Sequence, residues 1–326
     1  MTASHIRIAL LLGLAVILLF GLSLMAGKVW VPPSAWLSDD RGWWIILELR
    51  LPRAILATAI GAMLGLSGAV LQGYLRNPLA DPTLLGISSS AALGAVAAIF
   101  FGIALSPALL FASAMAGAVA AMLLLALLVG RTGSAVGFIL AGMVLASLSG
   151  SLTAFLISIS PDPFATSEII NWLMGALTDR GFADAWLALP LMATGALILA
   201  FTGRSLDLLT LGEESARSLG LGLGRLQALV VVGVGLGVGA SVAVSGVVGF
   251  VGLIVPHLVR PLVGQKPSAL LLPSALGGAA LLLCADSLVR LAPGPSEIRL
   301  GIAMALIGTP FFFALLLTMR RRAPWG

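Results

Sequence analysis

Long apolar runs, each close to the length of a bilayer crossing and parted by short polar breaks, set the limits on what this chain can fold into. A helix spanning a hydrocarbon core of about 30 Å needs roughly 20 mostly apolar residues, because each residue adds about 1.5 Å. Read against the Gly, Pro and charge breaks, ten runs fill the sequence, at 8–26, 53–75, 84–105, 107–129, 135–159, 185–202, 227–245, 249–263, 269–290 and 298–319, of which the seventh is glycine-rich and the eighth is short. None alternates at period two as a lipid-facing strand would, which excludes a β-barrel. The expectation is an all-α membrane protein of about ten transmembrane helices. Apolar residues make up 60% of the 326 and charged residues 10%, against roughly 25% charged in soluble domains. No stretch remains for a soluble domain, so 1–326 reads as a single transmembrane domain. The run at 8–26 follows Arg7 but is too long for the apolar core of a signal peptide, and it is expected to stay as the first helix.

Ten crossings put both termini on one side, and basic residues choose that side, since Lys and Arg accumulate in cytoplasmic loops. With the termini inside, eleven basic residues face inward (Arg7, Arg76, Arg131, Arg204, Arg217, Arg225, Arg260, Lys266 and Arg320 to Arg322). Seven face outward: Lys28, Arg41, Arg50, Arg53, Arg180, Arg290 and Arg299. Nine of the 13 acidic residues fall outside. The high pI therefore reflects membrane orientation and not nucleic-acid binding.

The polar residues offer little to an enzyme. His5 is near the terminus and His257 stands alone in IVPHLVR, without metal-ligand spacing. Cys284 is the one cysteine, so no disulfide forms within the chain, and a small buried hydrophobe is the plain expectation for it. Asp286 has no second aspartate to make an intramembrane protease. GVGLGVGAS at 233–241 looks like a dinucleotide loop but lies inside an apolar run, where small residues serve close helix packing. No GxxxxGK[ST] occurs, so ATP-driven work must come from a partner. No catalytic residue, metal ligand or cofactor is assigned to this chain.

The longest polar segment on the inner side, 203–227, carries Leu208, Leu211, Ser215 and Leu219 at helical spacing, with Glu213, Glu214 and Arg217 elsewhere on the wheel. It reads as a short amphipathic surface helix, either a solvated connector or a docking element for a cytoplasmic protein. At the other edge, RLPR at 50–53 places two arginines about a proline just before a helix. They are suited to docking, to helix capping or to headgroup contact. In the fifth run, Met143, Ser147, Ser151 and Phe155 form a stripe at spacing four, fit for a weakly gripping pathway or for small-residue packing.

Taken together, RLPR, SGAVLQ at 67–72, NPLADP at 77–82, LGISSSAALG at 85–94, LGEESARSLG at 211–220, GFVGLIVPHLVR at 249–260 and GTPFFFALL at 308–316 resemble the FecCD family, the membrane subunits of type II ABC importers for iron-siderophores, haem and cobalamin. The resemblance implies a homodimeric permease in the bacterial inner membrane, with helices 2–5 related to 7–10 by an inverted repeat. It implies as partners two cytoplasmic ATPase subunits, where ATP and Mg bind, and a periplasmic or lipid-anchored binding protein. It assigns Leu211, Gly212, Glu213, Glu214, Ala216, Arg217, Leu219 and Gly220 to ATPase coupling, and Arg50 and Arg53 to binding-protein docking. Arg299 is a further docking candidate by position, although EIRLG departs from the Glu-x-Pro-x-Gly of relatives. Ser90 stands where many relatives carry glycine. The resemblance lines the pathway with the fifth and tenth helices, hence the Met143 to Phe155 stripe. The rival reading, an ion-gradient-driven transporter, calls for membrane-embedded carboxylates or histidine relays, and only Asp286 comes near.

Overall fold

A computed structural model describes residues 3–29, 31, 40–130, 135–294 and 297–322. Arg131 of the charge count lies outside them, as do the side chains of Arg41 and of Arg320 to Arg322. The chain runs through α1 (Ala3–Met25), α2 (Asp40–Trp44), a π-helical turn (Ile45–Arg50), α3 (Leu51–Tyr74), a 3-10 turn (Pro82–Leu85), α4 (Ile87–Phe100), α5 (Pro107–Val129) and α6 (Ala135–Ser158). It continues through α7 (Pro163–Leu173), α8 (Phe182–Ala200), α9 (Gly203–Leu209), α10 (Glu213–Ser218), α11 (Leu223–Ser245), α12 (Val251–Val263), α13 (Pro267–Leu291) and α14 (Leu300–Arg322). There is no strand among the described residues.

Eight helical segments are long and apolar enough to cross a membrane, at eight of the ten expected positions. The third expected span is corrected in length, and the eighth is short, as its 15-residue run implies. Residues 84–105 give the end of a 3-10 turn and then α4, only 14 residues long, and 249–263 give α12 with 13. At about 1.5 Å per residue each reaches roughly 20 Å, two thirds of a bilayer core. Hydropathy ran on past the real helix because the flanking turns are themselves apolar.

The two helices preceding these short ones form the centre. Within their most apolar windows, 78% of the residues are buried for both the Gly42–Tyr74 and Leu223–Ser245 segments, whereas no other span exceeds 50%. α3 lies along α13 with a backbone-close crossing: a Cβ on Gly61 would strike the Gly278 carbonyl, and one on Gly65 the Ser274 carbonyl. α11 packs on α8, α5 and α4. The glycines of 233–241 serve this packing: the missing side chain of Gly237 admits Met63 of α3, and that of Gly195 in α8 lets the backbone at Gly233 and Gly237 approach.

The halves repeat a second device. α4 and α12 both begin at a residue in the left-handed region, Gly86 (φ 72°) and Phe250 (φ 69°). Each starting residue sits against a glycine of the last helix in its half: Gly86 against Gly142 of α6, and the Phe250 ring against Gly308 of α14. A phenylalanine at positive φ is strained, and it persists only where its surroundings over-determine it. The second through fifth and seventh through tenth expected spans thus share a long central helix, a half-length helix and a glycine contact in the closing helix.

Candidate functional site

Every ion pair among the described residues joins partners that the charge count placed on the same side. The polar residues accordingly fall into two groups, one at each end of the bundle.

At one end, four of the family-like segments meet. Gln72 ends SGAVLQ and donates to the Gly252 carbonyl at 3.2 Å, while its own oxygen accepts from Arg260 at 2.7 Å. Asp81 of NPLADP caps the 3-10 turn, accepting from the Thr83 backbone N–H (2.9 Å) and hydroxyl (2.6 Å). Burial pushes the Asp81 carboxyl up, against the pull of its bonds from Thr83 and the Leu253 backbone. Arg76 reaches Glu213 of α10 at 3.3 Å. Across the neighbouring turn, Asp207 accepts from the Ser268 N–H at 2.9 Å and pairs with Lys266 at 3.4 Å. Gln72, Arg76, Thr210 and Arg260 line a cavity of about 290 Å³ here.

The expected single amphipathic helix at 203–227 is corrected to two short ones. α9 ends at Leu209, and Gly212, at φ 95°, redirects the chain into α10. Gly220, at φ 86°, then turns it back toward α11, a sharp return open to glycine and costly for a side chain. The leucine stripe does not face inward: Leu211 and Leu219 are 60% and 59% exposed, and Leu206, Leu209 and Ala216 are the buried seats. Glu214, Ser215, Arg217 and Gly220 are also exposed. α10 is therefore flanked by two large exposed apolar side chains, Leu211 before it and Leu219 after it, with its charges between them.

At the other end the structure puts Arg50 and Arg53 inside the subunit, both under 9% exposed. Pro52 occupies the first turn of α3 and cannot donate to residue 48. The chain answers with the π turn, whose bond from the Leu51 N–H to the Ile46 carbonyl spans five residues. Arg50 donates to the carbonyls of Leu24 and Met25 at 2.9 Å each and to that of Val29. Arg290 donates to the Ser23 and Ala26 carbonyls (3.0 and 3.2 Å) and to the Ser23 hydroxyl. Two arginines thus satisfy the carbonyls that the end of α1 leaves open, where cations also suit the helix dipole.

Arg53 joins a buried charge cluster. It pairs with Asp286 at 2.9 Å and with Glu297 at 2.9 Å, and Asp286 also holds Arg290 at 3.0 Å. Glu297 accepts from the Thr178 hydroxyl at 3.1 Å. The four charges cancel, which is what keeps the fully buried Asp286 tolerable. Arg299, half-buried, donates to Asn171 of α7 at 3.1 Å. Asp286, Arg290 and Glu297 were not singled out as site residues. A lone carboxylate in an apolar run with arginine four residues on was the available signal, since such a charge demands a partner.

Between the ends, Met143, Ser147, Ser151 and Phe155 all lie on the uncovered face of α6. Phe138, Ala141, Gly142, Leu145 and Ser149 form the packed face. Ser149 meets Ser90 of α4 at 2.8 Å, so the hydroxyl at this glycine-favouring position links α4 to α6. The Ser147 and Ser151 hydroxyls of the stripe are left exposed among the described residues. His257 meets Phe311 edge-to-face at 5.9 Å. Cys284 is half-buried instead of fully enclosed. No group of three His, Cys, Asp or Glu that could hold a metal ion occurs among the described residues.

The model of the FecCD transport family matches residues 14–318. The vitamin B12 import system permease protein BtuC of Salmonella typhimurium is 39% identical over 319 residues, covering 97% of each chain. The ABC transporter permease protein YvrB of Bacillus subtilis, itself uncharacterized, is 38% identical over 284 residues, 85% of this chain and 80% of that one. A solved structure described as a metal-chelate type ABC transporter in an inward-facing conformation superposes with a TM-score of 0.86 at 34% identity, covering 96% of this chain and 99% of that one.

Proposed function

The chain belongs to the FecCD transport family, and we propose that it is the membrane permease subunit of a type II ATP-driven importer carrying cobalamin or an iron complex such as a siderophore or haem chelate. The observation that carries this reading is the convergence of SGAVLQ, NPLADP, GFVGLIVPHLVR and LGEESARSLG on the end where α10 projects, across the bundle from RLPR. A permease needs such a polarity, one end to receive mechanical work and one to receive cargo.

In this reading both termini and the α10 end are cytoplasmic in the bacterial inner membrane, and 1–326 act as one transmembrane domain. Two copies form a homodimer, flanked by two ATPase subunits that bind ATP and Mg; this chain carries no cofactor. Leu211, Gly212, Glu213, Glu214, Arg217, Leu219 and Gly220 meet the ATPase, with Ala216 as the anchor that seats α10 on its own subunit. At the opposite end a substrate-binding protein docks on a frame stiffened by Arg50 and Arg53, with Arg299 nearer the surface. The exposed stripe from Met143 to Phe155 faces the partner copy and borders the pathway. Hydroxyls and apolar atoms without charge suit a bulky amphipathic chelate that must pass without being held.

The ion-gradient alternative is weakened by Asp286, whose carboxylate is held in ion pairs by Arg53 and Arg290. Proteoliposomes holding the permease, its ATPase and its binding protein should accumulate cobalamin or a ferric chelate only with ATP. Uptake that persists without the ATPase and follows an imposed ion gradient would overturn the proposal. Cysteine at Lys266 should label only from the cytoplasmic side, and labelling from outside reverses the topology.

A further inference from the structure

A groove of about 520 Å³ opens at the α10 end, between the α8–α9 elbow and the start of α11. Its walls are largely apolar, among them Phe201, Leu208, Leu219 and Leu229, and its only charged lining residues are Arg204 and Arg225. Both arginines are exposed, and neither has an ion pair or hydrogen bond to a described residue. Their depth follows from the helices: Arg204 lies four residues beyond the end of α8, and Arg225 sits in the first turn of α11. Both spans begin or end there, so the guanidiniums stand at headgroup level with an apolar cleft beneath them.

Local electrostatics at Arg225 lack an anion. The first turn of α11 has no acidic residue and its Gly222 cap supplies no side-chain acceptor, so the positive end of the helix dipole adds to the arginine. On the far side of Arg225 a second cleft of about 500 Å³ runs between α5 and α11, again with no carboxylate in its wall.

We propose that this groove is a binding site for an anionic phospholipid, with the phosphate between Arg204 and Arg225 and an acyl chain along Phe201, Leu208 and Leu229. Free phosphate has no use for the apolar walls. Basic pockets between spans at this depth match phospholipid headgroups. The site would tie the α8–α9 elbow, which leads into α10, to the composition of the surrounding leaflet.

The test uses the full-length permease in phosphatidylcholine nanodiscs carrying trace spin-labelled phosphatidylglycerol or spin-labelled phosphatidylcholine, with the motionally restricted fraction read by electron paramagnetic resonance. The phosphatidylglycerol preference should approach about thirtyfold at low salt, from two cations contributing roughly fivefold each, and should shrink as salt is raised. R204Q/R225Q should abolish it, R204K/R225K should keep it, and inorganic phosphate should not displace the lipid. Equal restriction of the two lipids, or a preference that survives R204Q/R225Q, overturns the site. Should the glutamine variant not fold, the wild-type lipid comparison and its salt dependence decide alone. Absent lipid preference together with lost ATPase co-purification in R204Q/R225Q would assign the cations to a protein contact and overturn the lipid site, while leaving the permease reading intact.

Discussion

At the Arg53 end, Arg53, Asp286, Arg290 and Glu297 have side chains no more than 24% exposed, and they satisfy one another and the end of α1. At the α10 end the pairs are wetter and longer than those of this cluster, with Arg76 46% and Lys266 66% exposed at 3.3 and 3.4 Å from their carboxylates. Buried, mutually neutralised charge resists rearrangement, because separating any member strands its partners without water. Exposed pairs exchange for solvent or for another protein at little cost. One end is built to hold its shape, and the other to be remade by what docks on it.

That contrast can be broken most forcefully at Asp286. Asp286→Ala leaves the buried Arg53 and Arg290 with only Glu297 to balance their two charges and should cost about 3–5 kcal/mol, seen as a large drop in apparent melting temperature in detergent. Asp286→Asn keeps an acceptor oxygen and should lose less. If both variants melt with the wild type, the cluster does not stiffen that end. At the opposite end, Leu211→Asp with Leu219→Asp should leave melting unchanged. The same pair should weaken ATPase association by about 2 kcal/mol, or roughly 30-fold, if the leucines are the centre of the contact. Co-purification at wild-type yield would refute that role.

Asp81 sharpens the comparison, being a buried carboxylate at the wetter end. Its raised folded pKa means that it favours the fold below the ordinary aspartate range of about 4, and that this contribution fades as pH rises through the raised value. Asp81→Asn can still cap Thr83, so melting measured from acid to neutral pH should fall more steeply for the wild type than for the variant. Parallel profiles would show that the bonds from Thr83 offset burial. The smallest effect belongs to Arg76→Gln, which removes an exposed pair to Glu213 and should change stability by less than about 1 kcal/mol.

Most spans were legible because a bilayer-length apolar run has few alternatives, and the sidedness of the ion pairs followed from short loops. The brevity of α12 was legible in its 15-residue run, whereas that of α4 was not, because Gly86 interrupts a run that stays apolar on both sides. Nor was the burial of RLPR. Arg53 and Asp286 are 233 residues apart, and arginines at a helix edge read alike whether they meet a partner protein or cap a neighbouring helix. The break at Gly212 was hidden by leucines whose spacing fits one continuous helix, although helical spacing persists across a turn that redirects the chain.

The brevity of α4 and α12 also bears on biosynthesis. A segment of 14 or 13 residues is a poor substrate for membrane insertion by itself, since the translocon selects on roughly a full crossing of hydrophobicity. Each must enter the lipid together with a packing neighbour that follows it in the chain: α4 with α5, and α12 with α13 against α3. The nascent chain therefore has two points at which it must wait for later sequence to emerge before earlier sequence can settle.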